Sequence, residues 1–189
     1  MAVEVLGVPT SLPTVGTGAR VGRAWRMVGL RTRLATVVAG VSTLVAPSVA
    51  QRNWGGVAAL AAAGIALLLA ALVDVVEHRL PNLLTTAGTV LGLTAASVTG
   101  HLVSALVAGV ATGSLMFAVH LSRGVGLGDV KMSIALGVSA LTPIDALVAL
   151  AVASSLAGCA GLLLRRRRLP LGPFLWSGWL LGLVIGGVA

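Results

Sequence analysis

Two carboxylates, Asp74 and Asp129, stand out in a chain that is otherwise almost entirely hydrocarbon in character. Asp74 closes an apolar run and is followed by Glu77-His78-Arg79 and then Pro81-Asn82. Asp129 closes the glycine-rich run Gly124-Val125-Gly126-Leu127-Gly128 and precedes Val130-Lys131. An acid beside membrane helices costs roughly 2.5–3.5 kcal/mol or more at the bilayer centre, so its retention points to function. Two carboxylates that approach closely cannot both ionise easily. They hold one proton between them and present one acid and one base near neutral pH. Such a pair can activate a water on a peptide carbonyl and protonate the leaving amine, with no metal and no covalent intermediate. It titrates as a unit, so neither residue is assigned the acid or the base. Taken singly, each Asp could as well mark a helix end, hydrated or paired with Arg79 or Lys131. Their joint setting favours the catalytic pair.

The neighbouring residues would shape the site. Gly126 and Gly128 permit backbone conformations closed to other residues, and irregular backbone at membrane depth is tolerated where protein or a water-filled cavity surrounds it. A loosened loop delivering Asp129 is therefore expected. Pro81 cannot continue a helix and biases Leu80 away from helical geometry, which places a break after Asp74. Lys131, the only lysine, either favours the ionised form of Asp129 or anchors a helix end. His120 is expected to be a hydrogen-bonded packing residue near the site, and His101 a loop residue. Glu77, His78 and Arg79 read as a solvated loop that could also steer a substrate. Ser177-Gly178 faintly resembles a serine nucleophile but has no identifiable partner histidine. Side chains of His, Cys and carboxylate type show no metal-ligand spacing, so no metal and no cofactor is predicted.

These residues must be held by membrane helices. Of 189 residues, 57% are hydrophobic and only 10% charged, which excludes disorder and is too apolar for an ordinary soluble domain. The net charge of +8 sits in short blocks between apolar runs. It forms no basic face with interleaved aromatics, so no nucleic-acid partner is expected. The lone Cys159 excludes an internal disulfide and a cysteine-based zinc site, and reads as a small packing residue.

The fold class is all-α and polytopic, with six to seven transmembrane helices. Residues 1–33, with five arginines, read as a basic cytosolic segment without regular structure, save an interfacial turn near Trp25. Residues 34–189 form the membrane domain. The first span covers about Leu34 to Ala50, and its end, Ser48-Val49-Ala50, resembles a signal-peptidase site. Cleaved signal and retained anchor both stay open, the long leader favouring the anchor. Further spans are expected at Gly55–Val73, Leu83–Gly100, Leu102–Ser122, Val130–Leu141, Pro143–Leu164 and Pro173–Ala189. With the N-terminus in the cytosol, twelve of the thirteen basic residues fall inside, as the positive-inside rule demands. Both Asp74 and Asp129 then lie at the cytosolic membrane surface, and Asp145 at the opposite one. Arg165 to Arg168 read as a topology anchor against anionic lipid. Trp176 and Trp179 suit helix packing or an interface.

Gly126-Leu127-Gly128-Asp129 followed by Val130-Lys131 resembles the GxGD motif of prepilin peptidases, the intramembrane aspartic proteases of type IV pilus systems. Asp74, five residues, then Leu80-Pro81-Asn82 and Thr85, is similar to that family's first-aspartate motif. Leu169-Pro170-Leu171-Gly172-Pro173-Phe174-Leu175 resembles the P-x-G-P-F element before its last helix. The resemblance covers about 55–189. Presenilin-type GxGD proteases use a Tyr-Asp motif, and this chain has no tyrosine.

The resemblance implies catalysis by Asp74 and Asp129 and a prepilin substrate, with a basic leader ahead of a hydrophobic helix, cut after a glycine on the cytosolic side. Larger family members carry a cysteine-rich cytosolic domain and methylate the new N-terminus. With one cysteine, this chain is similar to the short, peptidase-only members of tight-adherence (Flp-type) systems. The rival readings are a small proton-coupled transporter with the acids as a relay, and a non-catalytic pilus-assembly subunit. Carboxylates at one surface and the lack of a repeat count against the transporter, and the intact acids against the subunit.

Overall fold

The computed structural model describes residues 54–122, 124–164 and 169–186, together with position 19. The expected first span, the basic N-terminal segment, Arg123 and Arg165 to Arg168 lie outside the described residues. The described chain is all helical: α1 (Trp54–Glu77), α2 (Asn82–Val98), α3 (Leu102–Leu121), α4 (Leu127–Ser139), α5 (Pro143–Leu164) and α6 (Gly172–Gly186). Of these, α1, α3 and α5 are long and apolar enough to cross a membrane, whereas α2 and α6 are shorter apolar helices.

Prolines set three of the six starts. Pro81 is the extended N-cap residue of α2 (φ −68°, ψ 121°), Pro143 begins α5, and Pro173 lies in the first turn of α6, where its missing N–H costs no internal bond. The start of α5 is also capped reciprocally: Thr142 Oγ1 donates to Asp145 Oδ2 and accepts from the Asp145 N–H (3.2 Å). This gives Asp145 a capping role.

Two boundaries differ from the sequence expectation in ways that matter. Helix α1 runs one turn past Asp74 to Glu77, because Val75, Val76 and Glu77 contain no breaker. The chain turns at His78, which is left-handed (φ 51°). Helix α4 begins at Leu127, so Gly128 and Asp129 belong to its first turn rather than to a loosened loop. Among the described residues of the glycine-rich run, only positions 124–126 are non-helical.

Packing follows burial. The hydrophobic window of α1 is 61% buried, against 33% for α3 and 22% for α5, so α1 is interior and the other two are peripheral. Leu67, Ala70 and Val73 of α1, Met132 and Ala135 of α4 and Trp179 of α6 form the centre. Val110 and Leu162, outward-facing and exposed, are suited to lipid. Helix α4 touches each of the other five helices. Cys159 lies on the exposed side of α5, which corrects its reading as a packing residue: the two leucines after it, Leu162 and Leu163, share that outer surface.

Candidate active site

Asp74 sits on the last full turn of α1 with its side chain buried. A buried carboxylate needs donors, and one comes from across the fold: the Gly172 N–H, at the start of α6, donates to Asp74 Oδ2 at 3.0 Å. The first amides of a helix have no internal acceptor and carry partial positive charge, so α6 points a suitable group at the acid. Trp176, one turn further on, donates from Nε1 to Gly64 O at 3.0 Å and fixes the same α6 face against α1.

Asp129 is treated alike within its own helix. At the third position of α4 its Oδ2 accepts the N–H of Gly126, the N-cap residue, at 3.1 Å. This is one half of a capping box. Asp129 lies outside the three membrane-length helices, and burial pushes its carboxyl up to about 6; the Gly126 amide opposes that rise and the charge of Asp74 adds to it. The two acids therefore share one electrostatic neighbourhood. Among the described residues, no hydrogen bond reaches the Oδ1 atom of either acid.

The residues around the acids hold the segments together. A Cβ at Gly128 would stand 3.2 Å from Leu80 Cβ, so glycine lets the 78–81 connection press against the turn carrying Asp129. Pro81 O accepts the N–H of Leu84 (3.1 Å) and of Thr85 (3.3 Å), closing the first turn of α2. Lys131 Nζ donates to Asn82 Oδ1 at 3.1 Å, which joins α4 to α2. His120 contacts Val125 O through Nδ1 at 2.8 Å, tethering the glycine-rich segment to the end of α3. That agrees with its expected role.

Several weaker candidates find ordinary places. His78 and Arg79 are exposed in the connection after α1, and His101 is exposed before α3. Ser177 Oγ donates to Pro173 O at 2.8 Å, within its own helix, and so is no free nucleophile. Trp176 and Trp179 are buried packing residues. Among the described residues, no three His, Cys, Asp or Glu side chains gather as metal ligands. Gly172 is the residue that sequence reasoning missed. Its signal was the Pro170-Leu171-Gly172-Pro173 run, seen as a motif but given no task.

The arrangement can do acid–base work: two carboxylates on neighbouring segments, each restrained through one oxygen by a backbone amide. The model of the type IV leader peptidase family matches residues 61–186, a range that takes in both acids, the glycine-rich segment and the start of α6. No curated protein and no solved structure matches the chain. With two thirds of its length under that family model, the chain belongs to the type IV leader peptidase family, a family of proteases.

Proposed function

We propose that this protein is a membrane-embedded aspartic endopeptidase that removes the leader of type IV (Flp-like) prepilins at the cytosolic membrane face, with Asp74 and Asp129 as its catalytic pair. The observation that carries the reading is that the fold brings the segments of the two acids together: Leu80, after Asp74, lies against Gly128, beside Asp129, and Lys131 Nζ donates to Asn82 Oδ1 at 3.1 Å. With one proton between them, the ionised member takes a proton from a water as that water adds to the scissile carbonyl. The protonated member then gives its proton to the leaving amine. Gly126 and Gly128 shape the Asp129 turn, Pro81 and Asn82 the segment after Asp74, and Lys131 ties the two segments together. The distribution of basic residues supports a cytosolic site in the cell membrane, and a single cysteine supports peptidase action without N-methyl transfer.

The test is co-expression with a candidate prepilin from the same genome, reading the new N-terminus by mass spectrometry. Asp74→Asn and Asp129→Asn should each lower cleavage by about 10²–10⁴-fold while both variants still accumulate in membranes. Robust processing by either variant defeats the assignment, as does labelling that puts positions 74 and 129 on opposite faces of the bilayer.

A further inference from the structure

The first and last motifs of the chain meet at one hydrogen bond, between the Gly172 N–H and Asp74 Oδ2 (3.0 Å). Gly172 opens α6. Of the amides in that first turn, Pro173 has none, and the Leu175 N–H is already bonded to Leu171 O at 3.0 Å. The Gly172 amide is thus turned outward to a group beyond its own helix. The approach is close. A Cβ at position 172 would stand 3.0 Å from Asp74 Oδ2, 3.1 Å from Ala71 Cα and 3.2 Å from Asp74 Cβ. The second of these is main chain of α1, which cannot turn aside as a flexible side-chain tip can.

From this geometry we propose that Gly172 is a positioning residue for hydrolysis: its N–H fixes Oδ2 of Asp74 so that Oδ1 is presented to the reacting water and to the shared proton, and the lack of a Cβ lets α6 come this near without pushing on α1. The inference rests on the aspartyl-pair reading above. It gives the Pro170-Leu171-Gly172-Pro173 run a task. Pro170 and Pro173 restrict the backbone on either side of the amide, and the Trp176–Gly64 bond one turn later holds the helix at that distance. The counterpart at Asp129 is local, from Gly126 three residues away. The Asp74 restraint spans 98 positions and so depends on how α6 packs.

Gly172→Ala is the direct test, in the full-length enzyme in detergent or proteoliposomes with a prepilin. Gly158→Ala, on an exposed stretch of α5 with open space at its Cβ, serves as the matched control. Gly172→Ala should lower kcat by about tenfold, because a Cβ there pushes α6 back by a few tenths of an ångström where a full 1 Å would cost about 10²-fold, with KM little changed. It should also move the alkaline limb of the kcat/KM profile to higher pH, because a carboxyl deprived of a donor keeps its proton longer. Gly158→Ala should match the parent in both.

Where Gly172→Ala does not fold, the parent enzyme decides. In a ¹⁵N-labelled sample the assigned Gly172 amide should titrate with the acid pair, and that titration should vanish in Asp74→Asn. A Gly172→Ala enzyme with parental kcat and pH profile, or a Gly172 amide blind to pH and to Asp74→Asn, overturns the proposal. In either case an inactive Asp74→Asn leaves the aspartyl pair standing, whereas an active Asp74→Asn removes the pair itself.

Discussion

Lys131 Nζ donates to Asn82 Oδ1 at 3.1 Å, and this bond links the helix bearing Asp129 to the helix that follows the Asp74 connection. The contact is exposed, so water replaces either partner cheaply. Asn82→Ala should therefore cost about 1 kcal/mol or less in stability. Its effect on cleavage should be larger, about tenfold in kcat, because the relative placement of the two acids is what hydrolysis requires. Melting curves beside single-turnover cleavage rates measure the two effects separately; equal losses in both would argue for a merely structural contact.

The Asp129 carboxyl, pushed up to about 6 mainly by burial and further by the charge of Asp74, sets an expectation for pH. It is protonated below about 6 and ionised above. The pair titrates as a unit, so this rise means that it still holds a proton near pH 6, and cleavage by the free enzyme needs that proton. The kcat/KM for a prepilin should fall as pH rises through about 6. Stability has the same sign: a carboxyl raised in the fold contributes most below its ordinary value near 3.8, and that contribution is lost as pH rises through about 6. Asp129→Asn should flatten this part of the melting-temperature profile. A kcat/KM that climbs steadily to pH 8 would contradict the assignment.

The two indoles of α6 differ in a testable way. Both are buried, but Trp176 Nε1 donates to Gly64 O, whereas Trp179 Nε1 is a buried side-chain atom with no partner among the described residues. Trp176→Phe loses a buried bond and should cost about 0.5–1.5 kcal/mol beyond the loss of volume. Trp179→Phe loses no such bond. Thermal unfolding in detergent should rank Trp176→Phe as the more damaging, and the opposite order would refute the placement of that bond.

His120 gives a fourth expectation. Its ring contact with Val125 O at 2.8 Å holds the segment ahead of Asp129 without touching either acid. His120→Ala should leave Asp74 and Asp129 titrating as before and lower kcat by about tenfold through a looser segment. A shift of the pH limb in this variant would show that the imidazole takes part in the titration.

Most of the helical plan was legible because it depends on apolar run length and on proline, both local properties. Pro143 and Pro81 fixed helix starts to within a residue. The ends were less legible. Asp74 looks like a terminus in the sequence because charge interrupts hydrocarbon there, yet a helix tolerates Asp on its last turns and stops only where His78 turns left-handed. Gly126 and Gly128 suggested loose backbone, but the side chain of Asp129 reaches back to cap a helix, which three glycines within five residues do not reveal. The partner of Asp74 was hidden for another reason. It is a backbone amide 98 positions away, and no side-chain pattern announces a main-chain donor.

The brevity of α4 bears on how a hydrolase works among lipids. Thirteen residues extend about 20 Å, well short of a hydrocarbon layer of about 30 Å, although this helix touches all the others. Alone it cannot span such a layer. The segment ahead of Asp129 has Gly124 and Gly126 exposed, so a short helix with an open end at the acid would let water reach the pair without a channel crossing the protein.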